Sequence, residues 1–477
     1  MTHSASGTSP PSVHADPSGE TRRWAALVLI CLAQFMLILD VTVVNVALPD
    51  MAADLNLGRE TLTWVVTSYT LCFGGLMVLG GRLADVLGAR RTLLIGLALF
   101  TVASLACGLA DGAMMLLGGR VMQGLGAALL SPSALSIVTT TFTGRERNKA
   151  LGVWAALGGS GAAVGVLVGG ALTDGPGWQW IFYLNVPVGL VVLVALPTVV
   201  AARASQPSRL DLPGALLITA GTGALVYGLV EAGDSGWGSL STLLPLTGAV
   251  GIYVMFAAVE RASRAPLMDL GMLVRRPVLA GAFLMLVATA SLISYFFLGS
   301  LYLQHVRHFS PLRTGLVFLP VALATGVGAH VGSRLVGAVG SRTVAVVGLA
   351  VAAAGCVPLV RLSDTGSVHT SLLPGFVAAS LGVGAVFVTA TTTALGMVEH
   401  WEAGLVSGVV NTFHEVGGSI GVAVVSTVAA SGVQQGSAGG FSDAFRLCAV
   451  AAAVGAAVAA VLVPRGKPRM TGGPHVH

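Results

Sequence analysis

The chain has 477 residues, of which 55% are hydrophobic and only 9% are charged. Soluble domains carry roughly 25% charged residues, so this composition excludes an ordinary soluble protein and indicates an integral membrane protein. The 25 basic residues outnumber the 20 acidic ones, but they are scattered through short loops, and we therefore expect no nucleic-acid partner.

Long apolar segments follow one another along almost the whole chain, and roughly 20 such residues suffice to cross a bilayer. They predict an all-α polytopic membrane protein with fourteen spans. Numbered in chain order, these spans cover residues 24–48, 62–80, 92–110, 113–140, 149–172, 178–201, 212–231, 239–259, 278–301, 313–333, 343–361, 372–395, 404–430 and 441–463. Span 1 is too long for the core of a signal peptide, so we expect it to be retained.

Arginine and lysine are concentrated in alternate loops, beginning with Arg22 and Arg23 just before span 1. Such loops face the cytoplasm by the positive-inside rule, and the intervening loops hold much of the acid. We therefore expect a protein of the cytoplasmic membrane with both termini in the cytoplasm. We also expect a monomer. Residues 1–21, rich in Ser, Pro and Gly, are predicted to be a disordered N-terminus, and residues 464–477 a cytoplasmic tail.

Several kinds of chemistry have no signature in this sequence. All five cysteines lie in apolar segments without CxxC or Cys/His spacing, which predicts neither a disulfide framework nor a metal site. Motifs of the HExxH kind, paired acids and nucleophile–base patterns are absent, so we do not expect an enzyme. There is no phosphate-binding loop for ATP, and we expect no cofactor.

An internal repeat links the loops after spans 2 and 10. Residues 80–90 read GGRLADVLGAR and residues 332–342 read GSRLVGAVGSR. Duplicated halves with a pocket between them are a transporter architecture. The register predicts two six-helix halves, at residues 22–201 and 278–463, separated by an inserted helix pair within residues 202–277. Chance matching of two Gly-rich loops is the alternative.

Two charged residues lie inside spans of the first half. Asp40 in span 1 and Arg120 in span 4 fall at the same depth, roughly 11–12 Å below the outer surface. A charge in lipid is costly, so we expect the two to pair, with Gln123 on the same face of span 4 as support. Protonation of Asp40 would loosen the pair and couple proton entry to helix movement. A static salt bridge, or an Asp40 that caps a shorter helix outside the membrane, are the alternatives.

The second half contains one acid within a span, Glu415, which shares a helix face with Asn411. We interpret Glu415 as a second protonation site or as the counter-charge for a cationic substrate; a protonated glutamate bonded to a neighbouring helix is the alternative. His414, one step off that face, ranks lower. Aromatic and polar residues in several spans predict an apolar cavity for bulky lipophilic molecules, although each could equally serve packing. They are Tyr69, Phe73, Trp154, Tyr295 and Asn411.

Four stretches of the first half together resemble the major facilitator superfamily, and specifically its fourteen-span drug:proton antiporter branch. Residues 81–91 (GRLADVLGARR) are similar to its cytoplasmic signature loop, and residues 39–49 (LDVTVVNVALP) to its first helix. Residues 120–128 (RVMQGLGAA) and 178–189 (WQWIFYLNVPVG) resemble its motifs in helices 4 and 6. Residues 301–304 (LYLQ) are a weaker match in the second half.

This resemblance implies the major-facilitator fold and proton-coupled export of drug-like or antibiotic molecules by alternating access, with the proton as coupling ion. It also implies that the signature loop clamps the cytoplasmic helix ends in the outward-facing state. The loop residues concerned are Gly81, Asp85, Gly88, Arg90 and Arg91. The alternative is that the basic residues of the loop only determine topology.

The helix-5 motif associated with export departs from its usual form. Residues 161–170 read GAAVGVLVGG, with Val166 where proline is expected. The packing glycines are kept at Gly161, Gly165, Gly169 and Gly170. Gly337 also replaces the acid of the second loop. The departure at Val166 leaves open export of a specific endogenous metabolite, or uptake by a symporter of the same fold.

Overall fold

The computed structural model describes residues 17–201, 212–263, 270–309, 311–362, 368–396, 398, 402–435 and 437–465. Within these ranges the regular secondary structure is helical throughout, which confirms the predicted all-α class. Most of the predicted N-terminal stretch and of the tail lies outside the described residues, although the first helix already begins at Pro17.

The helices of the first part of the chain are joined by short connections. They are α1 (Pro17–Asp54), α2 (Arg59–Leu87), α3 (Ala89–Gly108), α4 (Ala113–Thr141), α5 (Gly144–Asp174), α6 (Gln179–Tyr183), α7 (Asn185–Val199), α8 (Leu212–Ser235) and α9 (Leu240–Ala262). The predicted span 6 is divided between α6 and α7, which meet at Leu184.

The second part alternates long helices with short turns. Its helices are α10 (Leu270–Val274), α11 (Arg276–Leu301), α12 (Pro311–Val339), α13 (Ser341–Cys356), α14 (Val368–Ser371), α15 (Leu373–Leu395), α16 (Ala403–Gln435) and α17 (Ala438–Leu462). A π-helical turn at Tyr302–Val306 follows α11, and a 3₁₀ turn at Pro358–Arg361 follows α13.

The predicted number of fourteen spans is not confirmed. Among the described residues, 13 helical segments are long and apolar enough to cross a membrane. The helix α5, which matches predicted span 5, is not one of them. It nevertheless has 31 residues, more than the roughly 20 that a crossing needs.

Helix packing divides most of the chain into two groups with a central space between them. Helices α1–α7 pack mainly on one another, and so do α11–α17. The two groups meet where α2 packs against α16 and α5 against α12. Helices α8 and α9 form a hairpin, and α8 packs against both α2 and α16.

The repeated loops adopt the same backbone conformation. Gly88, between α2 and α3, has φ 91°, and Gly340, between α12 and α13, has φ 88°. Only glycine adopts positive φ without steric cost, so the turn itself requires the residue that recurs in both loops. The similarity of the two loops therefore extends from sequence to structure.

Candidate functional site

Asp40 and Arg120 form a buried ion pair between α1 and α4. Asp40 is 3% exposed and Arg120 is 1% exposed. The Nη1 group of Arg120 donates to Asp40 Oδ2 and, at 2.9 Å, to Gln123 Oε1. Helix α1 continues to Asp54, so Asp40 does not cap a helix end. Gln123 is present beside the pair, as its spacing from Arg120 suggested.

The other carboxylate oxygen of Asp40 is held by neutral donors. Gln123 Nε2 donates to Asp40 Oδ1 at 3.0 Å, and Asn185 Nδ2 donates to the same atom at 3.2 Å. Ser104 accepts a hydrogen bond from Gln123 at 2.8 Å and a longer one from Asn185 at 3.4 Å. Sequence reasoning missed Ser104 and Asn185. Asn185 lay inside a quoted motif, and its polarity within a span was the signal available.

Arg120 has two further partners that fix its side chain. Its Nε group donates to the carbonyl oxygen of Val65 at 3.0 Å, and its Cζ lies 4.3 Å from the ring centroid of Tyr69. Such a cation–π contact stabilises a desolvated guanidinium by about 2 kcal/mol. Tyr69 also lines the large cavity described next, so one aromatic ring separates the ion pair from that space.

The cavity has a volume of about 500 Å³ and lies between the two helix groups. Residues of α1, α2, α4, α5, α8, α11, α15 and α16 line it. Four of the predicted cavity residues are among them: Tyr69, Phe73, Trp154 and Asn411. Most of its wall is apolar, which suits lipophilic molecules with few polar groups.

Tyr295 does not line this cavity, so its prediction as a cavity residue is wrong. Its side chain is fully buried, with its ring 6.5 Å from that of Phe376 on α15. Phe297, two residues further along α11, faces the cavity instead. Two residues correspond to about 200° around a helix, so the error is one of helix rotation.

Glu415 brings a carboxylate to the cavity wall. Its side chain is 18% exposed, and its Oε1 lies 3.1 Å from Nδ1 of His414. His414 therefore belongs to the site, contrary to its lower rank in the sequence analysis. Asn411 lines the same cavity but contacts Ser131, at 3.4 Å between Nδ2 and Oγ. Among the residues that line the cavity there is no arginine or lysine.

The signature loop contacts the start of α16 through Asp85. Its Oδ1 accepts from the backbone N–H of Gly404 and its Oδ2 from that of Leu405, both at 2.8 Å. The first N–H groups of a helix lack intrahelical partners and carry partial positive charge, so a carboxylate there is stabilised. Gly81 lies against Gly404, and any side chain at position 81 would collide with its carbonyl oxygen. The loop therefore joins the two helix groups at this end.

The remaining predicted loop and helix-5 residues behave differently from one another. Arg90 is half-buried and Arg91 exposed at the start of α3. Gly161 packs on Ile38 and Gly165 on Thr42, both of α1, and neither leaves room for a Cβ atom. Gly169 is buried. Gly170 faces open space, so its prediction as a packing residue is wrong. The side chain of Val166 lies outside the described residues.

Comparison with known proteins decides the family. A profile of the Major Facilitator Superfamily matches residues 30–422. The chain belongs to the Major Facilitator Superfamily. The predicted family and fold class are thereby confirmed.

Two curated members of the superfamily illustrate the relationship. The chain is 42% identical over 417 residues to the puromycin resistance protein of Streptomyces alboniger, covering 86% of this chain and 82% of that one. It is 38% identical over 413 residues to the cephamycin export protein of Amycolatopsis lactamdurans, covering 85% of each.

Solved structures of other Major Facilitator Superfamily proteins share the fold. The human organic anion transporter MFSD10 gives a TM-score of 0.62 at 16% identity, covering 92% of this chain and 100% of that one. The proton:xylose symporter XylE gives 0.66 at 13% identity, covering 95% and 98%. At these identities the similarity concerns the fold alone.

Proposed function

We propose that this Major Facilitator Superfamily protein exports lipophilic drug-like or antibiotic molecules from the cytoplasm in exchange for protons. The observation that carries the proposal is the buried Asp40–Arg120 pair, which lies directly behind the wall of an apolar cavity. The similarity to a puromycin resistance protein and to a cephamycin export protein supports the substrate class. The distribution of basic residues supports a position in the cytoplasmic membrane with both termini in the cytoplasm. We assign transport to a single chain.

The coupling step is protonation of Asp40. Removing one partner of a buried ion pair costs on the order of 3–5 kcal/mol, because the other charge stays buried without its counter-charge. Two conformations of a transporter differ by only a few kcal/mol, so one proton is sufficient to change which of them is populated. Helices α1 and α4 then repack, and the two helix groups rock around the cavity.

The conformation observed is closed at the end where Asp85 binds α16. Basic residues cluster at this end, which supports assigning it to the cytoplasm. The cavity extends from Thr391, near the closed end, to Ser426, near the opposite one. These features support assigning this conformation to the stage in which substrate leaves outward and a proton enters.

Glu415 supplies the negative charge of the cavity in this scheme. Asp40 is already paired with Arg120, whereas the side-chain partner of Glu415 among the described residues is His414. An ionised carboxylate on an apolar wall attracts a cationic substrate and binds a proton when that substrate has left. Glu415 is therefore the second site at which proton and substrate exchange.

The test is transport by purified protein in proteoliposomes with an imposed pH gradient. Puromycin uptake into vesicles containing inverted protein should follow the gradient and stop when a protonophore is added. Asp40→Asn should abolish gradient-driven transport while puromycin binding, measured by tryptophan quenching, persists. Asp443→Asn, which removes an exposed carboxylate of α17, is the matched control. Undiminished proton-driven transport in Asp40→Asn would reject the proposed role.

A further inference from the structure

Arg147, in the first turn of α5, connects the two helix groups at the closed end. Its Nη2 group donates to the carbonyl oxygen of Leu395, the last residue of α15. The guanidinium is half-buried, and desolvation lowers its pKa, but an arginine stays charged at neutral pH. Its neighbour Glu146 pairs with Arg23 at 3.2 Å and is turned towards α1.

The carbonyl groups at the end of a helix carry partial negative charge and lack intrahelical donors. A guanidinium at the end of α15 therefore satisfies an acceptor and opposes the helix dipole at once. Asp85 makes the corresponding contact, with opposite charges, at the start of α16. Helices α15 and α16 are consecutive, so the two contacts hold both sides of the connection between residues 395 and 403.

The packing next to Arg147 requires that this contact breaks when the closed end opens. Gly152, about one and a half turns further along α5, packs closely on Ser333 of α12. A Cβ atom at position 152 would lie 3.2 Å from the side chain of Ser333. The helix groups meet where α5 packs on α12 and α15, and where α16 packs on α2 and α4. Arg147 lies at the first of these contacts, through α15, and Asp85 lies at the second, through α16.

We propose that Arg147 is a positioning residue that acts as a second latch, holding the Leu395 end of α15 and thereby stabilising the conformation closed at this end. The pairing of an acid at one helix start with a base at the neighbouring helix end makes closure depend on two opposite charges. The consequence for transport rests on the proposed alternating access. The latch itself affects only which conformation is populated, with or without transport.

Two reporter cysteines on α16 measure this population. Ser426→Cys lies in the cavity wall towards the end opposite Asp85, and Ser407→Cys replaces a serine that is fully buried at the closed end. Each is introduced separately into purified protein in nanodiscs, without substrate or pH gradient, and labelled with a bulky water-soluble maleimide. The native cysteines, four of which are buried, give the background rate.

Arg147→Met keeps the length of the side chain but removes its charge. We expect labelling at position 407 to rise by about tenfold and labelling at position 426 to fall, because a charged hydrogen bond is lost from one conformation only. Arg147→Glu, which repels the helix end, should give a larger change. Arg147→Lys should remain close to the wild type. Arg147→Gln keeps a donor and should lie between Lys and Met, which provides a test if the Met variant does not fold.

Arg446→Met is the matched control, since Arg446 is an exposed arginine of α17 that pairs with Asp443. Its labelling rates should equal those of the wild type. The latch is refuted if Arg147→Met and Arg147→Glu leave both reporters unchanged, if both reporters rise together, or if the Lys variant behaves as the Met variant does. None of these outcomes depends on whether the protein transports drugs.

Discussion

The ring of Tyr69 lies between the guanidinium of Arg120, at 4.3 Å, and the cavity that the ring itself lines. Proton site and substrate space are therefore in contact through one side chain. A substrate that displaces the ring changes the surroundings of Arg120, and a change in the ion pair moves a wall of the cavity. This single side chain is therefore sufficient to couple proton binding to substrate binding.

Tyr69→Leu tests this coupling. The variant loses a cation–π contact of about 2 kcal/mol in a desolvated site, so we expect gradient-driven transport to fall by roughly thirtyfold. Tyr69→Phe keeps the ring, and it should stay within about twofold of the wild type because no described group bonds the hydroxyl. The measurement is the initial rate in proteoliposomes. Equal losses in the two variants would assign the effect to the hydroxyl.

The donors around Asp40 predict that Asn185 holds the carboxylate in place. Asn185→Ala removes one of the hydrogen bonds that Asp40 Oδ1 accepts. A hydrogen bond to a charged group contributes roughly 1.5–3 kcal/mol, so we expect the initial rate of gradient-driven transport in proteoliposomes to fall by about tenfold. Thr198→Ala, in an exposed turn of α7, is the control and should keep the wild-type rate. A wild-type rate in Asn185→Ala would contradict this assignment.

The contact between α1 and α5 predicts a packing effect. A side chain at position 165 would collide with Thr42, so Gly165→Val should lower the stability of the purified protein by about 1–3 kcal/mol. The unfolding temperature in detergent measures the loss. Gly170→Ala, on the same helix, has open space around the new methyl group and should leave that temperature unchanged. A loss at position 170 as large as at 165 would argue against specific packing.

The sequence was sufficient for the fold class, the family and the pairing of Asp40 with Arg120. The reason is energetic, since a charge within a membrane helix needs a partner and few candidates exist at the same depth. Asn185 and Ser104 were not predicted as partners of the ion pair, because neutral polar residues are common in spans and do not require a charged partner. The partner of Arg147 is a backbone carbonyl, which leaves no mark in the sequence.

The rotation of each helix about its own axis was the second feature that the sequence did not predict. Helix α11 is apolar on all sides, so its pattern does not reveal which face meets the cavity. Tyr295 was therefore predicted to line the cavity, where Phe297 is found. His414 was ranked below Asn411 because it lies about 100° around the helix from the face that Asn411 shares with Glu415. Both side chains nevertheless line the cavity, because its wall on α16 is wide. Only packing against neighbouring helices determines these orientations.

Glu415 predicts that the cavity distinguishes substrates by charge. Methyltriphenylphosphonium and triphenylphosphine oxide have similar shapes, but only the first is cationic. With one carboxylate and neither arginine nor lysine among the described residues of the cavity wall, the wild type should bind the cation more tightly. Glu415→Gln should weaken cation binding by about tenfold, the effect of one lost charged interaction, and change binding of the neutral oxide by less than about twofold.

Tryptophan quenching of purified protein at neutral pH gives both affinities, because Trp154 lines the cavity. Asp443→Asn removes an exposed carboxylate outside the cavity and should leave the ratio of the two affinities unchanged. If Glu415→Gln lowered the affinity for both probes by the same factor, this residue would shape the cavity without selecting charge. If Glu415→Gln left both affinities unchanged, the preference for cations would come from the aromatic side chains of the wall, through cation–π contacts with Tyr69, Phe73 or Trp154.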